Sequence, residues 1–462
     1  MFPFNLLQRR TLLYMKAVIW RALMAIGMKF HHHADPKPPS PSFKIVVPSR
    51  LSPRGGKFKL VFYVPESYYT TSDEHRYPVV VNYHGGGFTL GTGTDDARWA
   101  AAVLKNVEAV FVSVEYRLAP EYPFSTGVED GSDAVIYLAA HAEELRLDPH
   151  RIALSGFSAG ANFAFTVPLM LHDLQNDAGK RRILDSNTVT PALSTSSSKA
   201  SLQPPQYQDD VSSPPKPSSS TLSLPRPTHN RSSSTSSIFK LSSLEPTILE
   251  TEQRIPAFTL KCLVSFYPPT DFRISRDEKR VTNIKPEKNL PPSLANLFDE
   301  SYLSPTSINL ADPYLSPAAA PTSFLKAAYP QDIILYTCEY DMLNAEGIAF
   351  GTRLASPEIS KTVHGGLIKE VPHAFDKKPN PLAFPPAADK CYNEACAELV
   401  RVFGGRNSIE DRAQLNEEVG VDRFADEELL GEGDHLMSEE IDGKGKRKDG
   451  RGGARLDGHY RG

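Results

Sequence analysis

Apolar positions along this chain fall into two rhythms. Strand-like runs occupy 43–47, 58–64, 78–83, 109–114, 151–155, 260–266, 332–337 and 367–371. From 109 onward, helical periodicity alternates with them, over 127–145, 158–176, 342–355 and 386–403. Strands that alternate with helices predict an α/β fold. We expect a mostly parallel eight-stranded sheet with helices on both faces. The first strands follow one another closely with no helical pattern between them, which predicts an antiparallel edge. Residues 291–330, rich in Pro and Ala, read as loops and short helices. Together with the N-terminal segment they are expected to form a small helical cap.

Between 176 and 260 the chain changes character. Residues 191–250 hold 18 Ser and 9 Pro with almost no aromatic. Such a stretch cannot bury enough apolar surface to offset its chain entropy. Residues 180–255 are therefore expected to be a disordered insertion in a surface crossover, where extra length costs little free energy. Two readings of it stand, a tolerated neutral insertion and a phosphorylated regulatory or docking loop. Residues 406–462, charged and Gly-rich without periodicity, are expected as a disordered tail. This leaves 1–40 as an N-terminal basic amphipathic segment, and 41–179 and 256–405 as two parts of one domain.

The first 33 residues contain no acid. At 100° per residue Arg9, Arg10, Lys16 and Arg21 share one arc, opposite Leu12, Val18, Ile19, Leu23 and Ile26. Lys16 and Arg21 interrupt the apolar run, so a cleaved signal peptide or a clean membrane span fits poorly. Two readings fit better. Residues 9–29 could make peripheral membrane contact as a helix lying on the surface, or form a cap helix whose apolar face packs on the domain. A mitochondrial presequence is a further alternative, though serine is absent. His31-His32-His33 reads as a solvated linker.

Composition narrows the class. Of 462 residues 40% are hydrophobic, because the polar segments dilute the core; roughly 270–300 residues remain for one α/β domain. The net charge of −4 gives no global basic field for nucleic acid. Four cysteines (Cys262, Cys338, Cys391, Cys396) show no metal-type spacing. Cys262 and Cys338 fall in expected buried strands, where a reduced thiol packs as a small apolar residue.

The chemistry sits at the ends of the strands. Gly156-Phe157-Ser158-Ala159-Gly160 follows the run 151–155 and opens a helical pattern. A G-x-S-x-G turn between strand and helix is how an α/β-hydrolase strains one serine into a nucleophile. Its glycines are a steric need where strand, turn and helix crowd together. Upstream, His84-Gly85-Gly86-Gly87 follows the run 78–83. An oxyanion needs backbone N–H groups fixed in advance; the amides of Gly85, Gly86 and Ala159 are the expected donors, and His84 is expected to order the loop. The serine needs a base, and the base an orienting carboxylate, in the chain order Ser, acid, His. Asp341 follows the run 332–337, and His373 follows 367–371. Both stand where the sites of open α/β sheets collect. The rival acids are Asp271, Asp312 and Asp376, and the rival base is His364, which stands before the final strand.

Read together, His84-Gly85-Gly86-Gly87-Phe88, Glu115-Tyr116-Arg117-Leu118-Ala119-Pro120-Glu121, Gly156-Phe157-Ser158-Ala159-Gly160-Ala161-Asn162 and Glu339-Tyr340-Asp341-Met342-Leu343 resemble the hormone-sensitive-lipase branch of the α/β-hydrolases. The resemblance covers about 55–178 and 256–403. It implies a serine esterase or lipase with Ser158, Asp341 and His373 as triad, and an oxyanion hole at Gly85, Gly86 and Ala159. Two positions depart from the family: Phe157 stands where an acid is usual, and Ala161 where glycine is. Some relatives in this branch lost the histidine and became small-molecule receptors; His373 is present here.

The expected activity is cleavage of carboxylic esters through an acyl-enzyme on Ser158. Two alternatives remain, a non-enzymatic small-molecule binder on the same fold and an acyl transferase or processing enzyme for a lipid or natural product. The expected partner is a small-molecule ester or lipid, with no nucleic acid, no metal and no organic cofactor. The expected location is the cytoplasm, with association to the endoplasmic reticulum or a lipid surface.

Overall fold

The computed structural model describes residues 2–176 and 255–404, with side chains from Arg10 onward. The insertion expected at 180–255 lies, but for its last residue, outside the described residues, as does the tail expected at 406–462. Strands β1 (Phe43–Pro48), β2 (Lys57–Tyr63), β3 (Tyr77–Tyr83), β4 (Val110–Glu115), β5 (Leu147–Phe157), β6 (Leu260–Phe266), β7 (Asp332–Tyr340) and β8 (Thr362–Pro372) form one eight-stranded sheet. Its order is β1-β2-β4-β3-β5-β6-β7-β8. The β1–β2 and β2–β4 pairings are antiparallel and the rest are parallel. Each expected run became a strand, and the antiparallel edge lies where the short spacing placed it.

Burial follows from position in this order. Central β3 is buried at every residue, while edge strand β1 buries only alternate positions, the contrast expected between a strand covered on both faces and one at a rim. Successive side chains of β3 serve opposite cores: Val79 and Val81 join one cluster and Val80 the other. Helices α3 (Thr126–Ala140) and α4 (Ala159–Gln175) cover the first face, and α2 (Ala97–Asn106) covers the second. Among the later helices α5 (Arg276–Val281), α6 (Pro292–Tyr302), α7 (Thr322–Ala328), α8 (Asn344–Ala355) and α9 (Pro386–Val402), α8 packs with α3 and α4, and α9 with α2. The chain pattern did not anticipate α2, which buries Ala97, Arg98, Trp99, Ala100 and Val103.

The N-terminal helix α1 (Phe2–His33) packs beside α6, but not by its apolar face. Ala17, Met28 and His31 turn inward. Arg21 reaches the domain, donating to both carboxylate oxygens of Glu121 and to the carbonyls of Thr89 and Ala119. Leu12, Met15, Ile19, Leu23, Ile26 and Phe30 face outward, each about half exposed. The expectation of an apolar face packed on the domain is thus corrected, because four hydrogen bonds hold Arg21 inward and set the rotation of the helix. The stretch Arg10–His33, which holds an 18-residue window of mean hydropathy 1.3, is long and apolar enough to cross a membrane by length and composition.

Candidate active site

Ser158 lies in the tight turn between β5 and α4 with φ 52° and ψ −116°, a conformation that costs a non-glycine residue free energy and persists only where its surroundings enforce it. They do so by crowding. A Cβ on Gly156 would lie 2.2 Å from the Gly160 oxygen, and one on Gly160 would lie 1.8 Å from the Tyr83 oxygen. The Ser158 amide also donates to the Phe266 carbonyl at 2.9 Å. Strand, elbow and helix can close this tightly only with glycine at both positions.

Parallel pairing then places the other groups. Tyr83 registers with Gly156, so the loop His84–Gly87 leaves β3 beside Ser158. Gly86 takes a φ of 112°, and a Cβ there would meet the Leu90 oxygen at 2.3 Å. His84 is fully buried, stacks on Tyr116 at 4.3 Å, and its Nδ1 donates to the Gly85 carbonyl at 2.8 Å, while the Tyr116 hydroxyl donates to the His84 carbonyl. It braces the loop. The amides of Gly85 and Gly86 donate to no backbone carbonyl of the described residues, and Ala159 opens α4, where N–H groups have no intrahelical partner.

Asp341 follows β7 and His373 follows β8 on neighbouring strands. The His373 Nε2 lies 2.8 Å from the Ser158 Oγ, and its Nδ1 lies 2.6 Å from the Asp341 Oδ2. Asp341 is 2% exposed, and its second oxygen accepts from the Leu343 amide at 3.0 Å. The three residues form one hydrogen-bonded line that starts at buried Asp341 and ends at the half-buried serine oxygen.

Of the four rivals, Asp376 lies near the site but bonds Tyr267, Tyr392 and Lys377, not His373, and the other three sit elsewhere. His364 lies within β8, not before it, and bonds Asp332 near Arg401 at the amino end of the strands. Asp271 pairs with Arg273, whose hydrogen bonds, against the opposing effect of burial, hold its carboxyl below the usual range. Asp312 accepts from the Tyr314 amide.

A cavity of about 170 Å³ opens on the serine. Leu90, Leu290, Leu294, Phe298 and Leu343 supply apolar walls, and Met24 of α1 covers one side. Its polar end holds Asp95, Asp96 and Lys377. Burial pulls the Lys377 ammonium down, but Asp376 and Asp96 more than offset this and hold it above the ordinary lysine value. Burial pushes the Asp95 carboxyl up. The chain pattern missed this polar end and the part played by Met24; an Asp-Lys pair directly after the His373 turn was the one available signal. Among the described residues no group of His, Cys, Asp and Glu is placed to hold a metal ion, and all four cysteines are buried and unpaired.

An eight-stranded sheet with a strained serine elbow at its centre, and acid and histidine past the carboxyl ends of β7 and β8, defines the α/β-hydrolase class. Residues 80–257 and 247–377 match the family described as alpha/beta hydrolase fold, and the chain belongs to it, in the hormone-sensitive-lipase-like branch. The carboxylesterase NlhH of Mycobacterium tuberculosis is 42% identical over 97 residues, 21% of this chain and 30% of that protein. Human arylacetamide deacetylase-like 2 is 39% identical over 112 residues, 23% and 26% of the two chains. The chain thus spans about a third or less of these relatives' length. The hyperthermophilic esterase of Pyrobaculum calidifontis superposes with a TM-score of 0.55 over 84% of this chain and 92% of its own, at 23% identity, a likeness of fold.

Proposed function

We propose that this protein is a serine hydrolase of carboxylic esters, on the strength of one observation above all: the hydrogen-bonded line Asp341–His373–Ser158, with bonds of 2.6 and 2.8 Å, ends at an apolar cavity. His373 Nε2 takes the Ser158 proton as Oγ attacks the ester carbonyl. The carbonyl oxygen becomes an oxyanion facing the amides of Gly85, Gly86 and Ala159. His373, now imidazolium and stabilised by Asp341, returns the proton to the departing alkoxide, leaving an acyl-enzyme. Water, deprotonated by His373, then attacks; the acid leaves and the serine regains its proton. The esterase names of the partial relatives support this reading, and a small-molecule ester is the expected substrate.

The same proposal includes a cytoplasmic protein in peripheral contact with an anionic membrane through residues 9–29. The outward stripe of α1 is apolar, exposed Lys16 and Lys29 flank it on the helical projection, and the first 33 residues contain no acid.

Purified protein and its Ser158→Ala form, assayed on p-nitrophenyl esters from acetyl to palmitoyl, test the chemistry. We expect turnover and fluorophosphonate labelling in the wild type alone. Absence of both in the wild type would overturn the proposal.

A further inference from the structure

The position before the nucleophile is Phe157, and its surroundings show what it faces. The Lys377 Nζ lies 3.8 Å from the centre of the Phe157 ring, 2.8 Å from the Asp96 Oδ1 and 3.1 Å from the Asp376 Oδ2. Both carboxylates are buried. Asp96 is itself fixed: its Oδ2 accepts from the Asn82 amide group at 2.7 Å, and Asn82 accepts from the Ser155 hydroxyl at 2.8 Å. Asp376 accepts from the hydroxyls of Tyr267 and Tyr392, each at 2.5 Å, and the Tyr267 ring packs against that of His373 at 4.9 Å.

These contacts make one bridge. Lys377 belongs to the turn that follows His373, and Asn82 lies on β3 two residues before His84 and the oxyanion loop. Phe157 immediately precedes Ser158. The ammonium therefore ties the base-bearing turn to the strand that delivers the loop, across the face of the residue next to the nucleophile. A cation above an aromatic face is attracted by the ring quadrupole, more strongly when desolvated, so Phe157 completes the site without adding charge.

We propose that Lys377 is a positioning residue for the reaction, setting His373 against Ser158 through Asp96, and that Phe157 is required as the uncharged floor of its seat. The two carboxylates already outweigh the one ammonium by a single negative charge. A third at position 157 would double that buried excess, with no further cation among the described residues beside it to offset the cost. The inference rests on the ester-hydrolase reading for its kinetic consequence, but its geometric content can be read without turnover.

The test compares Lys377→Met, Lys377→Arg, Phe157→Asp and Phe157→Tyr by thermal melting, by kcat and KM on p-nitrophenyl butyrate, and by the downfield proton resonance of the His373 Nδ1–H bonded to Asp341. For Lys377→Met we expect kcat to fall about 100-fold with KM within about threefold, the signature of a displaced reacting group, and the resonance to be lost. Lys377→Arg is expected to recover most of both. Phe157→Asp is expected to lower kcat about 10-fold or more, while Phe157→Tyr, which keeps the ring face, stays near wild type. If Lys377→Met does not fold, the Phe157 pair decides. A folded Lys377→Met that keeps the resonance and kcat overturns the inference, as does a Phe157→Asp form as active as the wild type. A wild type without turnover whose resonance still disappears in Lys377→Met would instead sink the esterase reading and leave the positioning role standing.

Discussion

Substituting Gly160 by Ala adds one methyl group at the most crowded point of the site. The new Cβ would lie 1.8 Å from the Tyr83 oxygen, 2.4 Å from the Tyr83 carbonyl carbon and 2.7 Å from the His84 oxygen. Non-bonded heavy atoms rest about 3.5 Å apart, so the gap must open by roughly 1.7 Å. Nothing flexible can absorb it: one side is the first turn of α4, and the other is the end of β3, paired with β4 and β5. The two backbones must separate, carrying Ser158 and Ala159 away from Gly85 and Gly86. A misplacement of about 1 Å at a reacting centre costs on the order of 100-fold, and the loss of one oxyanion donor costs about 10²–10³ in kcat. We therefore expect kcat to fall at least about 100-fold with KM little changed, because Leu294 and Phe298 on the cavity wall are untouched. Overpacking should also cost about 1–3 kcal/mol, read as a drop of about 2–4 °C in Tm for each kcal/mol. Initial rates on p-nitrophenyl butyrate and a melting curve measure both. Gly27→Ala is the control: its Cβ would rest 3.6 Å from Pro379, an ordinary contact within a helix. If Gly160→Ala keeps kcat within about threefold of wild type at an unchanged Tm, the steric account of the serine turn is wrong.

Two further outcomes check other parts of the molecule. Burial raises the Asp133 carboxyl to about 6, against the opposing hydrogen bonds from the amides of Leu51 and Arg50 and the Ser49 hydroxyl. The folded state thus binds this proton more tightly than the unfolded chain, so the group's contribution is most favourable below its unfolded value and is lost as pH rises from about 4 to about 6. Asp133→Asn, which keeps an acceptor oxygen without the charge, should be more stable than wild type at pH 8 by ~1–3 kcal/mol, an advantage that vanishes at pH 4; an equal Tm difference at both pH values refutes this. The combined change Ile19→Glu, Leu23→Glu and Ile26→Glu should abolish co-flotation with phosphatidylcholine–phosphatidylserine vesicles while leaving hydrolysis of a short soluble ester intact. Flotation equal to that of the wild type would remove α1 from any membrane role.

The local pattern carried most of the scaffold. Strand runs and helical periods are set by neighbours in sequence, so all eight strands and the helices at α3, α4, α8 and α9 were legible from it. The serine turn was legible for a related reason: the need for glycine at 156 and 160 arises from backbone crowding that any strand–turn–helix of this kind imposes. What only the folded chain decided depends on partners far apart in sequence. His364 and His373 look alike as bases, yet register along β8 puts them at opposite ends of the strand, roughly 30 Å apart at about 3.3 Å per residue. The rotation of α1 followed from Arg21 meeting Glu121, a hundred positions away, and not from its hydrophobic pattern. The seat of Lys377 joins β5, the turn after β8 and, through Asp96, Asn82 on β3. Sequence by itself determined where strand, turn and helix would follow one another, because those preferences are short-ranged. Tertiary structure alone brought the charges and cavity walls together, because Coulomb attraction and close packing act between whichever surfaces the topology makes adjacent.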